Sequence, residues 1–299
     1  MSAAIKILCI GDIMLDVTVL LKKPIVEGLE TRAEISTQGG GAAANVASWL
    51  SCAGVASYLV TRIGEDSAGK TLMTELDAYG VEHSKSVVPG ANTGVVVVIV
   101  GVDGERTMFP DSGANGGLTL SDVPDLSDFT AAYISAYSLI NPQSRSGVLQ
   151  IISSISAAGL PIILDPATVG VIMEVGAANA NDWLQSVDTL ILNEEESQFL
   201  TGKENPIEAT SQLLKSVNTV VIKRGAKGAL GQTRGEKLVQ VGAQRTAVIN
   251  TTGAGDAFAA GFIKIWAANG PLLEALESGA DLAAQCVALI GARPLVATD

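Results

Sequence analysis

Apolar runs and helical segments alternate along most of this chain, and that rhythm limits the possible fold more than any other feature. Strands that are apolar on both faces are typical of a parallel sheet covered by helices on each side, connected by right-handed crossovers. The alternation therefore predicts an α/β fold with a doubly wound, mostly parallel central sheet flanked by helices. The runs in question are "IKILCIG" (5–11), "AAYISAY" (131–137), "LPIILD" (160–165), "DTLILN" (188–193) and "TVVIKRG" (219–225).

Two parts of the sequence do not follow this rhythm. "TRAEISTQ" (31–38) alternates between polar and apolar residues, and "TGVVVVIVG" (93–101) is followed by an Asp-Gly turn and "RTMF" (106–109). Both patterns favour half-exposed strands and hairpins. They predict a small β-sheet lid, formed by segments of about 12–38 and 92–110, on a single domain that spans residues 1–299.

Charge and hydropathy exclude several classes of partner. The net charge of −12 and the pI of about 4.6 oppose a nucleic-acid interface. The longest apolar run, "VVVVIV" (95–100), is far shorter than the roughly 20 residues of a spanning helix. Neither a membrane nor a nucleic-acid partner is expected, and the protein is expected to be cytoplasmic.

The sequence has one histidine and three cysteines, which limits metal and nucleophile chemistry. His83 lies in the turn-like segment "GVEHSK" and is predicted to be a surface residue. Cys9, Cys52 and Cys286 are far apart in apolar surroundings, which is typical of small core residues and not of a disulfide framework or zinc site.

Three glycine-rich loops are candidates for binding phosphate. "GEDSAGKT" (64–71) satisfies the Walker A pattern. Its Glu65 and Asp66 would each oppose a nearby phosphate charge by ~1 kcal/mol at 4 Å in water. With "PIILD" (161–165) as a Walker B strand, it leaves a P-loop NTPase as one alternative.

A second loop, "GGGAAAN" (39–45), fits a relaxed dinucleotide-binding pattern. The acidic residue that the pattern expects about 20 positions later would then be Glu65, which follows Gly39 by 26 positions. This loop leaves a dinucleotide-dependent oxidoreductase as another alternative. The polar Asn45 is unusual for a helix start with a purely structural role.

The third loop, "NTTGAGDAFAAGF" (250–262), combines two chemical functions. Gly253, Ala254 and Gly255 precede a long helix, so their N–H groups and the helix dipole would form an anion hole. Asp256, in the first turn, is a carboxylate that would accept a hydroxyl proton beside that hole. Neither other loop offers a base and an anion site together.

With these residues in view, the sequence resembles the PfkB carbohydrate kinase family, of which ribokinase is a member. "GGGAAANVASWLSCAG" (39–54) and "NTTGAGDAFAAGF" are similar to the two family signatures, and the similarity runs from about residue 5 to 296. "DPA", "NEEE" and "KRGAKGAL" fall between them in the family order. The family also carries a G-x-D-x-x-G turn, matched by Gly64, Asp66 and Gly69, so the resemblance implies that the Walker-like string is accidental.

The resemblance implies an ATP- and Mg²⁺-dependent kinase for a sugar or nucleoside. Asp256 would be the catalytic base and the amides of residues 253–255 would stabilise the transferring phosphoryl group. Asn193 and Glu196 would act near the phosphates and Mg²⁺, with Glu196 acting through water. Residues at the strand–turn bordering the ATP site would be Lys223, Gly225 and Gly228.

The resemblance also implies an acceptor site and an assembly. In some members of the family the lid pairs two subunits, so a homodimer through the lid is expected. The acceptor-binding residues would be Asp12, Asp16, Gly40, Gly41, Asn45 and Asp256.

Three departures from the family pattern bear on specificity and ions. Asn250 replaces an aspartate that is tied to activation by monovalent cations such as K⁺, which puts potassium dependence in doubt. Met14 replaces a polar residue, and Ile140 or Asn141 stands where ribokinase has a ribose-facing glutamate. The acceptor is therefore left open, as is a binding protein that kept the fold and lost the chemistry.

Overall fold

The structure of the chain, a computed structural model, describes residues 5–103 and 105–295. Gly104, in the turn predicted between the two lid strands, lies outside the described residues. In chain order, the strands are β1 Lys6–Ile10, β2 Met14–Leu21, β3 Ala33–Gly40, β4 Ala56–Val60, β5 Arg62–Gly64, β6 Glu82–His83, β7 Ser86–Val88, β8 Val95–Val100, β9 Arg106–Asp111, β10 Ala131–Ser135, β11 Ile162–Asp165, β12 Thr189–Asn193, β13 Thr219–Lys223, β14 Ala229–Thr233 and β15 Val239–Val241.

Several of the α-helices begin at a capping side chain or at a glycine. For example, the Asn141 side chain accepts a hydrogen bond from Gln143 N at the start of one helix, and Pro142 occupies its first position. In chain order, the helices are α1 Ala42–Cys52, α2 Ser67–Tyr79, α3 Tyr137–Ile140, α4 Pro142–Ala157, α5 Val169–Val175, α6 Ala177–Trp183, α7 Glu194–Thr201, α8 Pro206–Leu213, α9 Ala254–Trp266 and α10 Leu272–Val287.

The central sheet has nine strands in the order β15-β14-β13-β12-β11-β10-β1-β4-β6. All neighbours from β13 to β6 are parallel, and β14 and β15 add an antiparallel edge. Alternate residues of β1 supply the two faces: Ile7 and Cys9 pack with α1, α2, α9 and α10, whereas Leu8 and Ile10 pack with α4, α6 and α8. The predicted doubly wound sheet is confirmed.

A second sheet has four strands in the order β3-β2-β8-β9. β2 is parallel to β8 and antiparallel to β3, and β8 and β9 form an antiparallel hairpin. These are the segments that did not fit the strand–helix rhythm, so the small sheet is present as predicted. A short pair of strands, β5 and β7, was not predicted.

The direction of winding locates the functional end of the sheet. The chain passes from β1 through β4 to β6 on one side, then returns to β10 on the other side of β1 and continues through β11, β12 and β13. Ligands in such sheets bind beyond the carboxyl ends of the strands, near the point where the winding reverses. Asp165, Asn193 and Lys223 end successive strands there, and Gly11 and Asp12 follow β1.

Two sequence-based predictions about single residues were wrong. His83 is only 8% exposed, because β6 pairs with β4 at the sheet edge and brings the His83 Nε2 atom within 3.1 Å of the Asp77 carboxylate on α2. Cys9 and Cys286 are buried, but Cys52 is exposed, because the last turn of α1 directs this residue away from the core. Among the described residues no helix is both long and apolar enough to span a bilayer.

Candidate active site

Asp12, in the β1–β2 connection, and Asp16, on β2, line a cleft of about 2060 Å³. The Oδ2 atom of Asp12 accepts a hydrogen bond from Ala42 N at 3.2 Å, whereas its Oδ1 atom is buried without a partner. Burial raises the pKa of Asp12, and it raises the pKa of Asp16 to about 6 despite the nearby Arg293 cation. An orphaned acceptor oxygen in such a place is suited to receive a ligand hydroxyl.

Gly40 and Gly41 connect the small sheet to α1 and bring this helix against the aspartates. Gly41 is the N-cap of α1 with φ +92°, and a Cβ there would lie 2.6 Å from Asp12 O and 2.7 Å from Ile13 Cα. Only glycine fits this close backbone approach. The predicted acceptor residues therefore meet because β3 ends in two glycines.

Asn45 and Asp256 join the first turns of α1 and α9. The Asn45 Nδ2 atom donates to Asp256 Oδ2 at 2.8 Å. Burial raises the pKa of Asp256 to about 7; the Asn45 hydrogen bond and the Lys223 cation oppose this rise, and the carboxylates Asp165 and Asp12 add to it. A carboxylate that titrates near neutrality is suited to general base chemistry.

The first turn of α9 forms a cationic corner beside Asp256. Gly253 caps the helix with φ +79°, and the first α-helical hydrogen bond runs from Ala257 N to Gly253 O at 2.9 Å. The amides of the first turn thus have no partner within the helix, although Ala254 N is 3.3 Å from Thr251 O. Lys223 Nζ would be 3.2 Å from a Cβ at Gly255, so amides and ammonium converge on one anion site.

Lys223 is tied to this corner by buried carboxylates. Its Nζ atom lies 2.7 Å from Asp165 Oδ2, and both side chains are largely buried. Burial lowers the pKa of Lys223, but Asp165, Glu196 and Asp256 outweigh that effect and leave the pKa above its ordinary value. The ammonium is therefore charged in its ion pair with Asp165.

Asn193 and Glu196 form a reciprocal cap at the start of α7. Glu196 N donates to Asn193 Oδ1, while Asn193 N and Nδ2 donate to the two carboxylate oxygens of Glu196 at 2.8 and 2.6 Å. Burial raises the pKa of Glu196 to about 7, Asp165 adds to the rise and Lys223 opposes it. Within the described ranges, no group of three or more Asp, Glu, His or Cys side chains is placed to hold a metal ion.

The far end of the cleft contains residues that sequence reasoning missed. α10 contributes a row of small side chains to the cleft lining, and residues 243–246 and 248 line it as well, with Ala243 close to Gly228. The sequence signal for this surface was a row of small residues at helical spacing in α10, because small side chains leave room for a flat ring to bind. The missed residues of α10 are Ala280, Ala283, Ala284 and Val287.

The Walker-like string at residues 64–71 has a different role. Asp66 is the N-cap of α2, and its carboxylate accepts hydrogen bonds from Gly69 N (2.8 Å), Thr93 N (2.8 Å) and Thr93 Oγ1 (2.6 Å). A carboxylate therefore lies where a phosphate would have to bind. Lys70 is exposed on α2 and does not line the cleft.

We expect Lys70→Ala to leave the affinity for Mg·ATP unchanged, because Lys70 lies outside the cleft. Isothermal titration of the variant with a non-hydrolysable ATP analogue measures this directly. The comparison variant is Lys223→Met, which removes the cation beside the helix and should weaken binding. Lost affinity in Lys70→Ala would restore the P-loop interpretation.

Comparison with known sequences gives one consistent group of relatives. A family model described as pfkB family carbohydrate kinase matches residues 4–298. The chain is 28% identical over 297 residues to an ATP-dependent ribose-1-phosphate kinase of Halopiger xanaduensis, which covers 99% of this chain and 96% of the relative. It is 31% identical over 304 residues to ribokinase of Arabidopsis thaliana, which covers 95% of this chain and 76% of the relative.

Solved structures have the same fold over nearly the whole chain. A structure of Arabidopsis thaliana ribokinase complexed with ribose and ATP has a TM-score of 0.82 and 28% identity, over 97% of this chain and 94% of its own. A structure of adenosine kinase from Sinorhizobium meliloti has a TM-score of 0.87 and 23% identity, over 98% and 97%.

Proposed function

The chain belongs to the pfkB family of carbohydrate kinases, which transfer phosphate to hydroxyl groups, and we propose that it transfers the γ-phosphate of ATP to a small sugar or sugar-like acceptor. One observation carries the proposal. Asp256, with its pKa of about 7, adjoins the amides at the start of α9 and lines the same cleft as the carboxylates of Asp12 and Asp16. A base and an anion site in contact are what hydroxyl phosphorylation requires.

Asp256 would remove the proton of the acceptor hydroxyl as its oxygen attacks the terminal phosphorus. The new O–P bond forms as the bond from that phosphorus to the β-phosphate oxygen breaks, and ADP leaves. The amides of Gly253, Ala254 and Gly255 and the ammonium of Lys223 would stabilise the charge on the transferring group. The acceptor hydroxyls would be held by Asp12, Asp16 and Asn45, and the backbone of Gly40 and Gly41 would shape that site.

Magnesium would enter with the nucleotide and neutralise part of the phosphate charge. Both oxygens of Glu196 accept hydrogen bonds from Asn193, which fits a residue that holds the ion through water. The glycines Gly225 and Gly228, the segment of residues 243–248 and the alanines of α10 would receive the nucleoside part of ATP.

Charge at the acceptor end favours a neutral acceptor. Asp12, Asp16, Asp256 and Asp111 line this part of the cleft. The Arg145 guanidinium lines it too, but it donates to the carbonyls of Leu139 (2.8 Å) and Ile140 (2.9 Å). Vicinal hydroxyls suit such carboxylates, whereas a second phosphate on the acceptor would be repelled.

Apolar side chains of the small sheet favour a nucleoside as the second candidate acceptor. They lie on the same cleft wall as the carboxylates and would cover one face of a flat base. These side chains are Met14, Val96, Val98, Met108 and Pro110. A nucleoside kinase of the same family is therefore our alternative.

An ADP-release assay over a panel of acceptors tests the proposal. We expect ADP formation with a neutral sugar or nucleoside and none without an acceptor. Turnover without an acceptor would indicate an NTPase, NAD reduction would indicate an oxidoreductase, and silence on every acceptor would indicate a binding protein. Faster turnover with ribose 1-phosphate than with every neutral acceptor would refute the charge argument.

We expect turnover to be independent of potassium. Asn250 has no charge, and its Oδ1 atom already accepts hydrogen bonds from Thr252 N (2.8 Å) and from the Arg106 guanidinium (3.2 Å). Replacing KCl with choline chloride should leave kcat and KM unchanged. The variant Asn250→Asp restores a carboxylate and should gain potassium sensitivity, whereas strong potassium activation of the unaltered enzyme would contradict this prediction.

We further propose a cytoplasmic homodimer that pairs through the small sheet, which would act as a lid. Support comes from large apolar side chains exposed on the face of this sheet that points away from the cleft, where Ile35 is 67% and Phe109 is 55% exposed. Single exposed apolar residues are common, but a group on one sheet is typical of an interaction surface. The net charge of −12 supports partners that are small molecules, with no nucleic acid among them.

A further inference from the structure

Arg293, in the segment after α10, is a buried arginine that no part of the proposed mechanism uses. It is 6% exposed, and its guanidinium donates to three separate parts of the fold. The Nε atom donates to Asn45 Oδ1 (3.2 Å), Nη1 to Glu75 Oε2 (3.0 Å) and Nη2 to Gly40 O (2.8 Å). Burying a charge is costly unless it is fully paired, so this arrangement is specific.

The bond to Asn45 determines which way the Asn45 amide faces. A guanidinium has only donors, so Asn45 must direct its carbonyl oxygen toward Arg293. Its NH₂ group then faces Asp256 and donates to Oδ2 at 2.8 Å. In the opposite orientation the Asn45 NH₂ group would face the Arg293 donor, and the Asn45 carbonyl oxygen would face the Asp256 carboxylate.

We propose that Arg293 is a positioning residue for phosphoryl transfer, which acts through Asn45 to hold the Asp256 carboxylate in one orientation and in its ionised form. This inference rests on the proposed function, in which Asp256 is the base. With Oδ2 occupied by Asn45, Oδ1 is the oxygen presented to the acceptor hydroxyl. Arg293 does not touch the reacting atoms.

The backbone around Arg293 is anchored without its side chain. Trp49 Nε1 donates to Ala292 O at 2.9 Å, and the Tyr79 hydroxyl donates to Pro294 O at 2.8 Å. These bonds hold the segment against α1 and α2 on both sides of Arg293. The guanidinium can therefore be removed without releasing the segment.

Ionisation of Asp256 depends on groups from every element around it. Donation from Asn45 stabilises the ionised form, so its loss would raise the pKa of Asp256 beyond about 7. A base must be ionised to act, so activity falls as the solution is made more acidic. With a higher pKa of Asp256, this fall occurs at a higher pH. The other ionisable groups facing Asp256 are Asp12, Tyr133, Tyr137, Asp165, Lys223 and Cys286.

The test is the pH dependence of kcat in Arg293→Met, with ADP release as the readout. Without the guanidinium the Asn45 amide is no longer held in one orientation, so its donation to Asp256 weakens and the acid limb of the profile should move up by about one pH unit. Activity should then be about fivefold lower at pH 7 and nearly equal to that of the unaltered enzyme at pH 9. An unshifted limb would overturn the proposal.

Two further variants separate positioning from folding. Glu75→Gln removes the arm of Arg293 that points away from Asp256, so it should lower the melting temperature and leave the acid limb in place. Arg293→Lys keeps the positive charge but loses the planar guanidinium that donates to three partners at once. It should move the acid limb of the pH profile in the same direction as Arg293→Met, by a smaller amount. If Arg293→Met does not fold, an unshifted limb in Arg293→Lys overturns the proposal.

A double-mutant cycle with Asn45→Ala tests the route. If Arg293 acts through Asn45, the double variant has the acid limb of Asn45→Ala alone. Additive shifts would overturn this route. Kinase activity of the unaltered enzyme at pH 9 is a separate result: its absence would refute the proposed function, whereas its presence with unshifted limbs would refute only the role of Arg293.

Discussion

Asp256→Asn should lower kcat about 1000-fold, because the amide cannot take the proton of the acceptor hydroxyl. The substitution keeps the size of the side chain, and an amide oxygen can still accept the hydrogen bond from Asn45. Affinity for Mg·ATP should therefore change little. Single-turnover ADP formation measures the chemical step, and titration with an ATP analogue measures binding.

The melting temperature of Asp256→Asn at pH 8 shows whether this variant folds. Because the folded pKa of Asp256 lies near 7, above the unfolded value near 3.8, the ionised carboxylate destabilises the fold above pH 7 and ceases to do so as the pH falls below the unfolded pKa. The variant should thus be at least as stable as the unaltered protein at pH 8. Asp281→Asn, an exposed position on α10, is the matched control for lost charge and should keep full activity. Near-normal turnover in Asp256→Asn would rule it out as the base.

Gly253→Ala should lower kcat/KM about 100-fold, because it displaces the amides that, in our proposal, stabilise the transferring phosphate. Gly253 has φ +79°, and a Cβ there would lie 2.6 Å from the Cα of Ala292 and 2.7 Å from its carbonyl oxygen. Backbone atoms cannot yield as a flexible side chain can, so the start of α9 or the segment that carries Arg293 must move. Steady-state kinetics with varied ATP and acceptor would show the loss.

Gly54→Ala is the control for backbone strain alone. Gly54 follows α1 with φ +81°, and nothing lies within 4 Å of a Cβ at that position. Both variants therefore incur the cost of a left-handed alanine, roughly 1 kcal/mol, but only Gly253→Ala also collides with neighbouring backbone. Equal kinetics in the two variants would show that the position of the α9 amides is not critical.

Much of the fold could be predicted from the sequence, because local patterns carry it. The apolar runs that end at Asp165, Asn193 and Lys223 are strands of the parallel sheet, and the alternating segments form the small sheet. The loop at 253–256 was singled out as a candidate site because a carboxylate and the unpaired amides of a helix start adjoin in sequence. His83 was misjudged because a strand of two residues has too little pattern to be seen.

The network behind the base could not be predicted, because it is assembled only in three dimensions. Gly40, Asn45, Glu75 and Arg293 come from separate segments, and no periodicity links them. A lone arginine near the end of a chain is most often a solvated residue. Similarly, Cys52 and Cys286 have equally apolar neighbours in sequence, yet only Cys286 is buried.

The order of the site along the chain has an engineering consequence. Apart from Asp256 and Arg145, the proposed acceptor-end residues fall between Asp12 and Asn45 and on β8 and β9, whereas the proposed nucleotide end comes from residues 165–287. Replacing the first 115 residues with those of another kinase of the family should therefore change which acceptor is phosphorylated and leave the proposed phosphate-binding residues intact. The replacement must carry Glu75 along, since Arg293 would otherwise arrive without its counter-ion.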